Sequence, residues 1–147
     1  MKRAQILVAD IWACFQGRDF GEFHDIDKIT MFADYRVPQI LSGMGALYYS
    51  PSVANAIKSK VMIESGTPWE IQLRGKLPDR YCQYRLTRSI ACSIWCVELI
   101  AREIRKKDPD THVNAILLDF FLYDKIKELE AAGQEPAPHH RTRSIWY

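Results

Sequence analysis

A mainly α-helical fold is what this 147-residue sequence predicts, and three observations carry the expectation. Apolar residues recur at helical spacing in successive segments along the chain. The segment "AILLDFFLYD", residues 115–124, is apolar nearly all round, as a buried central helix requires. Strand-like alternation is confined to "WEIQL", residues 69–73. The length suits one domain, and with 48% hydrophobic and 26% charged residues the chain can bury a moderate core.

Residues 3–15 place Ile6, Leu7, Ile11, Trp12 and Phe15 in a helical pattern that stops at Gly17. "GRDFGEFHDIDK" follows as a polar connector with two glycines. From Pro38 a second helical pattern runs through Ile40, Leu41, Met44, Leu47 and Tyr48. Pro38 suits a first helical turn, where its missing N–H would be unpaired in any case. Gly43 and Gly45 lower helix propensity there, which suggests close approach to another backbone. "SPSVANAIKSKV" starts a short helix capped by Ser50 or Ser52. Ser93 to Lys107 puts Ile94, Val97, Ala101 and Ile104 on one face and ends in a basic turn that suits the helix dipole. Asn114 to Glu130 is the expected central helix, and the tail "GQEPAPHHRTRSIWY" is extended, then basic and aromatic. There is no internal repeat.

Charge and composition narrow the function classes. A net charge of +2 is small for a nucleic-acid-binding domain, although basic residues cluster at Arg80–Arg88, Arg102–Lys107 and Arg141–Arg143. Direct nucleic-acid binding is therefore not expected, and a salt-dependent shift with tRNA or DNA would reveal it. No apolar run approaches the roughly 20 residues of a membrane span. "MKRAQILVAD" carries Asp10 where a signal peptide would continue its apolar stretch, so a cytoplasmic protein is expected. Cys92 and Cys96 share a helix face, but no second Cys/His pair has zinc-ligand spacing, so reduced thiols are the expectation.

The carboxylates pose the sharper question. Asp119 and Asp124 lie in the most apolar helix, where a buried charge needs a partner, a cavity or a ligand. They are about 140° apart around the axis, so both can border a pocket without sharing a stripe. Asp124 has the alternative of pairing with Lys125 or Lys127 at the solvent edge. Asp34, in "TMFADYRVPQIL", has two readings. It is a capping residue ahead of a helix, paired with Arg36 and flanked by core Phe32 and Tyr35, or a carboxylate held against an aromatic wall for chemistry. "HHRTR" offers His139, His140, Arg141 and Arg143, a cluster able to grip a phosphate, or a solvated tail. No Gly-rich phosphate loop, Walker motif or nucleophile elbow is present.

Six blocks resolve the ambiguity. "KRAQILVADIW", "ITMFADYRVPQIL", "GALYYS", "CSIWCVELI", "NAILLDFFLYD" and "HHRTRSIWY" together resemble the queuosine salvage family, in family order from residue 2 to the last residue. The resemblance implies an all-helical protein with a core like that of helical DNA glycosylases. It implies an N-glycosidic hydrolase that releases queuine from queuosine 5′-phosphate, a small-molecule substrate, with no metal or nucleotide cofactor. By the same resemblance Asp34 matches an active-site carboxylate, and Phe32 forms part of the queuine pocket. Asp119 and Asp124 face base and ribose, and Lys2 is a basic active-site residue. The assignment adopted places Asp124 on the sugar and Asp34 on substrate or water, the reverse also being open. Tyr35, His140 and Arg141 are added as substrate-binding residues, the last two at the phosphate end. A non-catalytic remnant that binds queuine or a nucleotide is the alternative.

Two departures from the family pattern qualify this. The family chain is about twice as long, so the match corresponds to its C-terminal half, and uncovered apolar surface on the central helix would favour association. Residues 76–91, "KLPDRYCQYRLTRSIA", stand where the family runs almost directly from "WEIQLRG" to "CSIWCVELI". Pro78, Arg80, Arg85 and Arg88 suit an exposed loop. Gly75-Lys76, Leu86-Thr87 and Ile90-Ala91 can encode a splice donor, a branch point and an acceptor in that order, which suggests a retained intron. Genomic codons other than GGT-AA at Gly75-Lys76 would refute that origin.

Overall fold

The computed structural model describes residues 2–32, 34–74 and 89–143. Among them the chain forms six α-helices: α1 (Lys2–Cys14), α2 (Arg36–Gly43), α3 (Pro51–Lys58), α4 (Pro68–Arg74), α5 (Ser89–Lys107) and α6 (Ala115–Ala131). Short 3-10 turns stand at Asp19–Gly21 and Ile26–Lys28. A mainly helical protein is what the periodicity predicted. No described helix is long and apolar enough to cross a membrane. Most of the 76–91 segment lies outside the described residues, while Ser89 to Ala91 open α5.

The chain divides into two compact units, Met1–Phe32 with Val97–Phe121, and Ala33–Cys96 with Leu122–Tyr147. In the first, Ala9, Phe32 and Ile116 form a buried cluster flanked by Ile6, Trp12, Ile26, Ile29 and Phe120. Gly21 is buried against α1, where an added Cβ would stand 2.6 Å from the Phe15 Cβ and 3.0 Å from the Ile11 carbonyl oxygen. Gly21→Ala is accordingly expected to cost about 1–3 kcal/mol in denaturant unfolding, because the backbone of α1 must move.

In the second unit Val53, Ile57, Ile63 and Leu73 form the core, with Tyr49 against it. The strand-like "WEIQL" is helical in α4, and capping chemistry explains why. Thr67 and Glu70 stand three residues apart around Pro68, close to a capping box. The Thr67 hydroxyl accepts the Glu70 N–H at 3.4 Å, and Glu70 Oε2 accepts the Gly66 N–H at 3.0 Å. These end-bonds outrank a five-residue alternation.

Helix α2 is shorter than its apolar pattern, ending at Gly43 and leaving Met44 and Tyr48 exposed. The cause is a Schellman ending: Ala46 N–H donates to the Leu41 carbonyl at 2.8 Å and Gly45 N–H to Ser42 at 3.1 Å. Gly45 takes the left-handed φ of 73° that this ending needs, so it terminates the helix rather than admitting a neighbouring backbone. Helix α3 ends in the same way, with Lys60 N–H on Ile57 and Val61 N–H on Ala56, both at 3.0 Å. Its left-handed position holds Lys60 at φ 54°, where glycine is favoured. Lys60→Gly is expected to stabilise the protein by about 1 kcal/mol, read as a rise in the unfolding midpoint.

Ser50 occupies the N-cap of α3 with extended backbone but makes no side-chain cap bond; its hydroxyl faces that of Ser52 at 3.2 Å. In α5 Val97 and Ala101 are fully buried with Ile94 and Ile104 beside them, the predicted face. Helix α6 starts from Asn114, whose Oδ1 accepts the Leu117 N–H at 3.0 Å. It is not buried all round: Leu117, Phe121 and Tyr123 are exposed.

Candidate active site

Asp34 sits one residue before α2, and its Oδ1 accepts the backbone N–H of Arg36 at 2.7 Å and of Val37 at 3.4 Å. Two donors on one oxygen is the N-cap arrangement. The cap uses Oδ1 and leaves Oδ2 outside it, so capping and chemistry are compatible in one side chain. The Arg36 guanidinium does not go to Asp34. It bonds Glu130 Oε1 at 2.6 Å and lies 5.3 Å from the centre of the Tyr35 ring. The Arg36 bond, followed by that from Lys127, holds Glu130 below the usual carboxylate range. Tyr35 also stacks on His139, ring centres 4.5 Å apart and 29° from parallel.

The tail reaches this turn because it is tethered at two points. Gln39 Nε2 donates to the Ala137 carbonyl at 2.6 Å, and Ile63 N–H donates to the Arg141 carbonyl at 2.8 Å beside a parallel bridge between Met62 and Arg141. His140, between the tethers, is only 3% exposed. Burial, reinforced by neighbouring His139, lowers its pKa to about 4 against the attraction of Glu70 and Asp34. The imidazole is therefore neutral at pH 7. His139 is half-buried and also shifted down, by desolvation first and then by Arg36 and Arg141. A cavity of about 670 Å³ opens here, lined by Tyr35, His139, His140 and Arg141 among others.

Among the sequence-predicted residues, Asp34, Tyr35, His140 and Arg141 thus come together in the second unit. In the first unit Phe32 and Asp119 are joined: the Phe32 N–H donates to Asp119 Oδ1 at 3.1 Å. Both side chains are buried, and the Phe32 ring lies 6.1 Å from that of Phe120. Lys2 begins α1 and is half-buried. Asp124 is exposed on α6 and takes neither neighbouring lysine, since Lys125 bonds Glu128 at 2.7 Å and Lys127 bonds Glu130 at 3.2 Å. No described hydrogen bond ties Lys2 or Asp124 to the other candidates.

Glu70 and Gln39 are the residues that local sequence reasoning passed over. Glu70 is a fully buried carboxylate within reach of His140's charge, and Gln39 is a buried amide that tethers the tail. Each stands inside a short apolar run, "PWEIQL" and "VPQIL", and a polar residue in such a run was the available signal. Among the described residues no cluster of three or more His, Cys, Asp or Glu could hold a metal.

Comparison with known proteins matches residues 1–147 to the family model described as queuosine salvage protein. A Schizosaccharomyces pombe protein named queuosine 5′-phosphate N-glycosylase/hydrolase is 46% identical over 155 aligned residues, covering 100% of this chain and 39% of its own length. A Mus musculus protein of the same name is 40% identical, covering 99% of this chain and 40% of its own length. One from Sphaerobacter thermophilus is 35% identical, covering 99% and 39%. The chain thus spans about two fifths of the length of these relatives.

Proposed function

This chain belongs to the queuosine salvage protein family, and on that premise we propose that it serves hydrolysis of the N-glycosidic bond of queuosine 5′-phosphate, releasing queuine. The observation that carries the reading is Asp34, fixed through one oxygen by two backbone donors, in the same unit as a cavity lined by Tyr35, His140 and Arg141. Cleavage of such a bond develops positive charge on the ribose, and a carboxylate whose position is already fixed stabilises that charge without reorganising.

Queuine is a deazaguanine with carbon where guanine has N7, so that position cannot take the proton that eases departure. Help for the leaving base must come from elsewhere on its ring. In the reading proposed here Asp124 acts on the sugar and Asp34 orients substrate or water. Asp119 and Phe32 are assigned to the base, and Lys2 supplies a cationic group. His140 and Arg141 are assigned to the phosphate end, with Tyr35 between. Water adds at the anomeric carbon as the glycosidic bond breaks, and the base departs with a proton. No cofactor has a part in this.

Incubating the chain with queuosine 5′-phosphate and assaying free queuine tests the proposal, and release is the expected result. The chain's share of about two fifths of its relatives' length supports a second reading, a module that binds queuine or a nucleotide without turnover. Binding without release by this chain, beside release by a full-length relative, would favour that module. Residues 76–91 are proposed to be an insertion relative to the family, to be checked against the genomic codons.

A further inference from the structure

A second cavity, of about 500 Å³, adjoins the first and shares His139 and Arg141 with it. Arg36, Lys60 and Arg141 all line it, from three separate parts of the second unit. Arg36 is engaged with Glu130, whose charge Lys127 also offsets. Lys60 and Arg141 make no ion pair among the described residues, and both are exposed and available. Glu135 is the remaining carboxylate on the wall and is also exposed.

The frame around these cations is fixed in advance. The tail segment that carries Arg141 is tethered through Ala137 and through the Arg141 carbonyl. Lys60 is held at the left-handed end of α3 by two backbone hydrogen bonds. A lysine kept where glycine would be less strained is one observation that points to use of its ammonium. The field at His139 is the second, since Arg36 and Arg141 both disfavour its charged form. Fixed positive groups around a cavity with unengaged donors suit a dianion, and arginine and lysine recognise phosphate in complementary ways.

We propose that Lys60 and Arg141 form a phosphomonoester subsite, and that this subsite makes the protein select a nucleoside 5′-phosphate over the free nucleoside. The proposal rests on the reading of the adjoining cavity given above and adds Lys60 to it. Because Arg141 and His139 border both cavities, a phosphate in one is continuous with a sugar in the other.

Titrating the whole 147-residue chain with ribose 5-phosphate and with ribose tests this, by calorimetry and by NMR of the His139 ring. Ribose 5-phosphate is expected to bind at least about tenfold tighter than ribose, the worth of one charge-assisted hydrogen bond. It should also raise the pKa of His139, because the dianion offsets the two arginines. Lys60→Gly and Arg141→Gln should each weaken ribose 5-phosphate about tenfold. The unfolding midpoint should rise in Lys60→Gly, which separates lost binding from lost folding. No preference for the phosphorylated sugar, or unchanged binding in the double variant, overturns the subsite. Phosphate binding through Lys60 without queuine release keeps the subsite and sinks the hydrolase reading. Queuine release indifferent to both substitutions does the reverse.

Discussion

Asp34→Asn is expected to reduce queuine release by about 10²–10³-fold while leaving the protein as stable as before. Asparagine caps a helix as well as aspartate does, and its side-chain oxygen can still accept the Arg36 and Val37 N–H groups. The substitution therefore removes charge and keeps geometry. Asp34→Ala should lose activity to the same extent and about 1 kcal/mol of stability besides, because the cap goes too. Release from queuosine 5′-phosphate and denaturant unfolding, measured on both variants, separate the two roles. Full activity in Asp34→Asn would reduce Asp34 to a capping residue. Asp124→Asn supplies the companion test: it should abolish turnover with no change in stability, since Asp124 is exposed and takes no neighbouring lysine.

Acid should destabilise the fold through His140. Its pKa falls from an ordinary 6.5 to about 4 in the folded protein, chiefly by burial. The folded state resists protonation that the unfolded chain accepts, so the unfolded chain binds more protons between those values. Stability is fully present above pH 6.5 and is lost as pH falls toward 4. Over that window the loss amounts to about 3 kcal/mol, a large fraction of a small domain's stability. His139 is shifted in the same direction and adds to the slope. Unfolding curves taken from pH 7 down to pH 4 should therefore flatten in His140→Gln relative to the unaltered chain. An equal pH dependence in both would mean that other groups cause the acid sensitivity.

These two results bear on one small region, and the sequence disclosed it unevenly. The predicted inward face of α5 is the buried face, and the apolar pattern from Ile6 to Trp12 does mark α1. Helix endings were less legible. Gly45 was read for close approach, yet it closes a Schellman ending, which depends on where the carbonyls of Leu41 and Ser42 are left. "WEIQL" alternates as a strand would, but Thr67, Pro68 and Glu70 ahead of and within it satisfy the N–H groups of a helix start. Short alternation is weak information when end-capping groups stand beside it. The central helix shows the opposite limit: apolar residues all round α6 did not bury all of them, since Leu117 and Phe121 are exposed.

By itself the sequence determined the helical class, the course of α1, α5 and α6, and the six blocks through which Asp34, Asp119 and Asp124 acquire a proposed chemistry. Those properties are local, written in spacing and residue type. Only the tertiary structure decided that Asp34 caps α2 through one oxygen, that Arg36 turns to Glu130, and that His140 is buried near Glu70. Arg36 and Glu130 are 94 residues apart in the chain and Gln39 and Ala137 are 98 apart. Periodicity states which face of a helix turns inward, but not which distant segment lies against it. The charges on His139 and His140, and the convergence of Lys60 with Arg141, are set by that second fact.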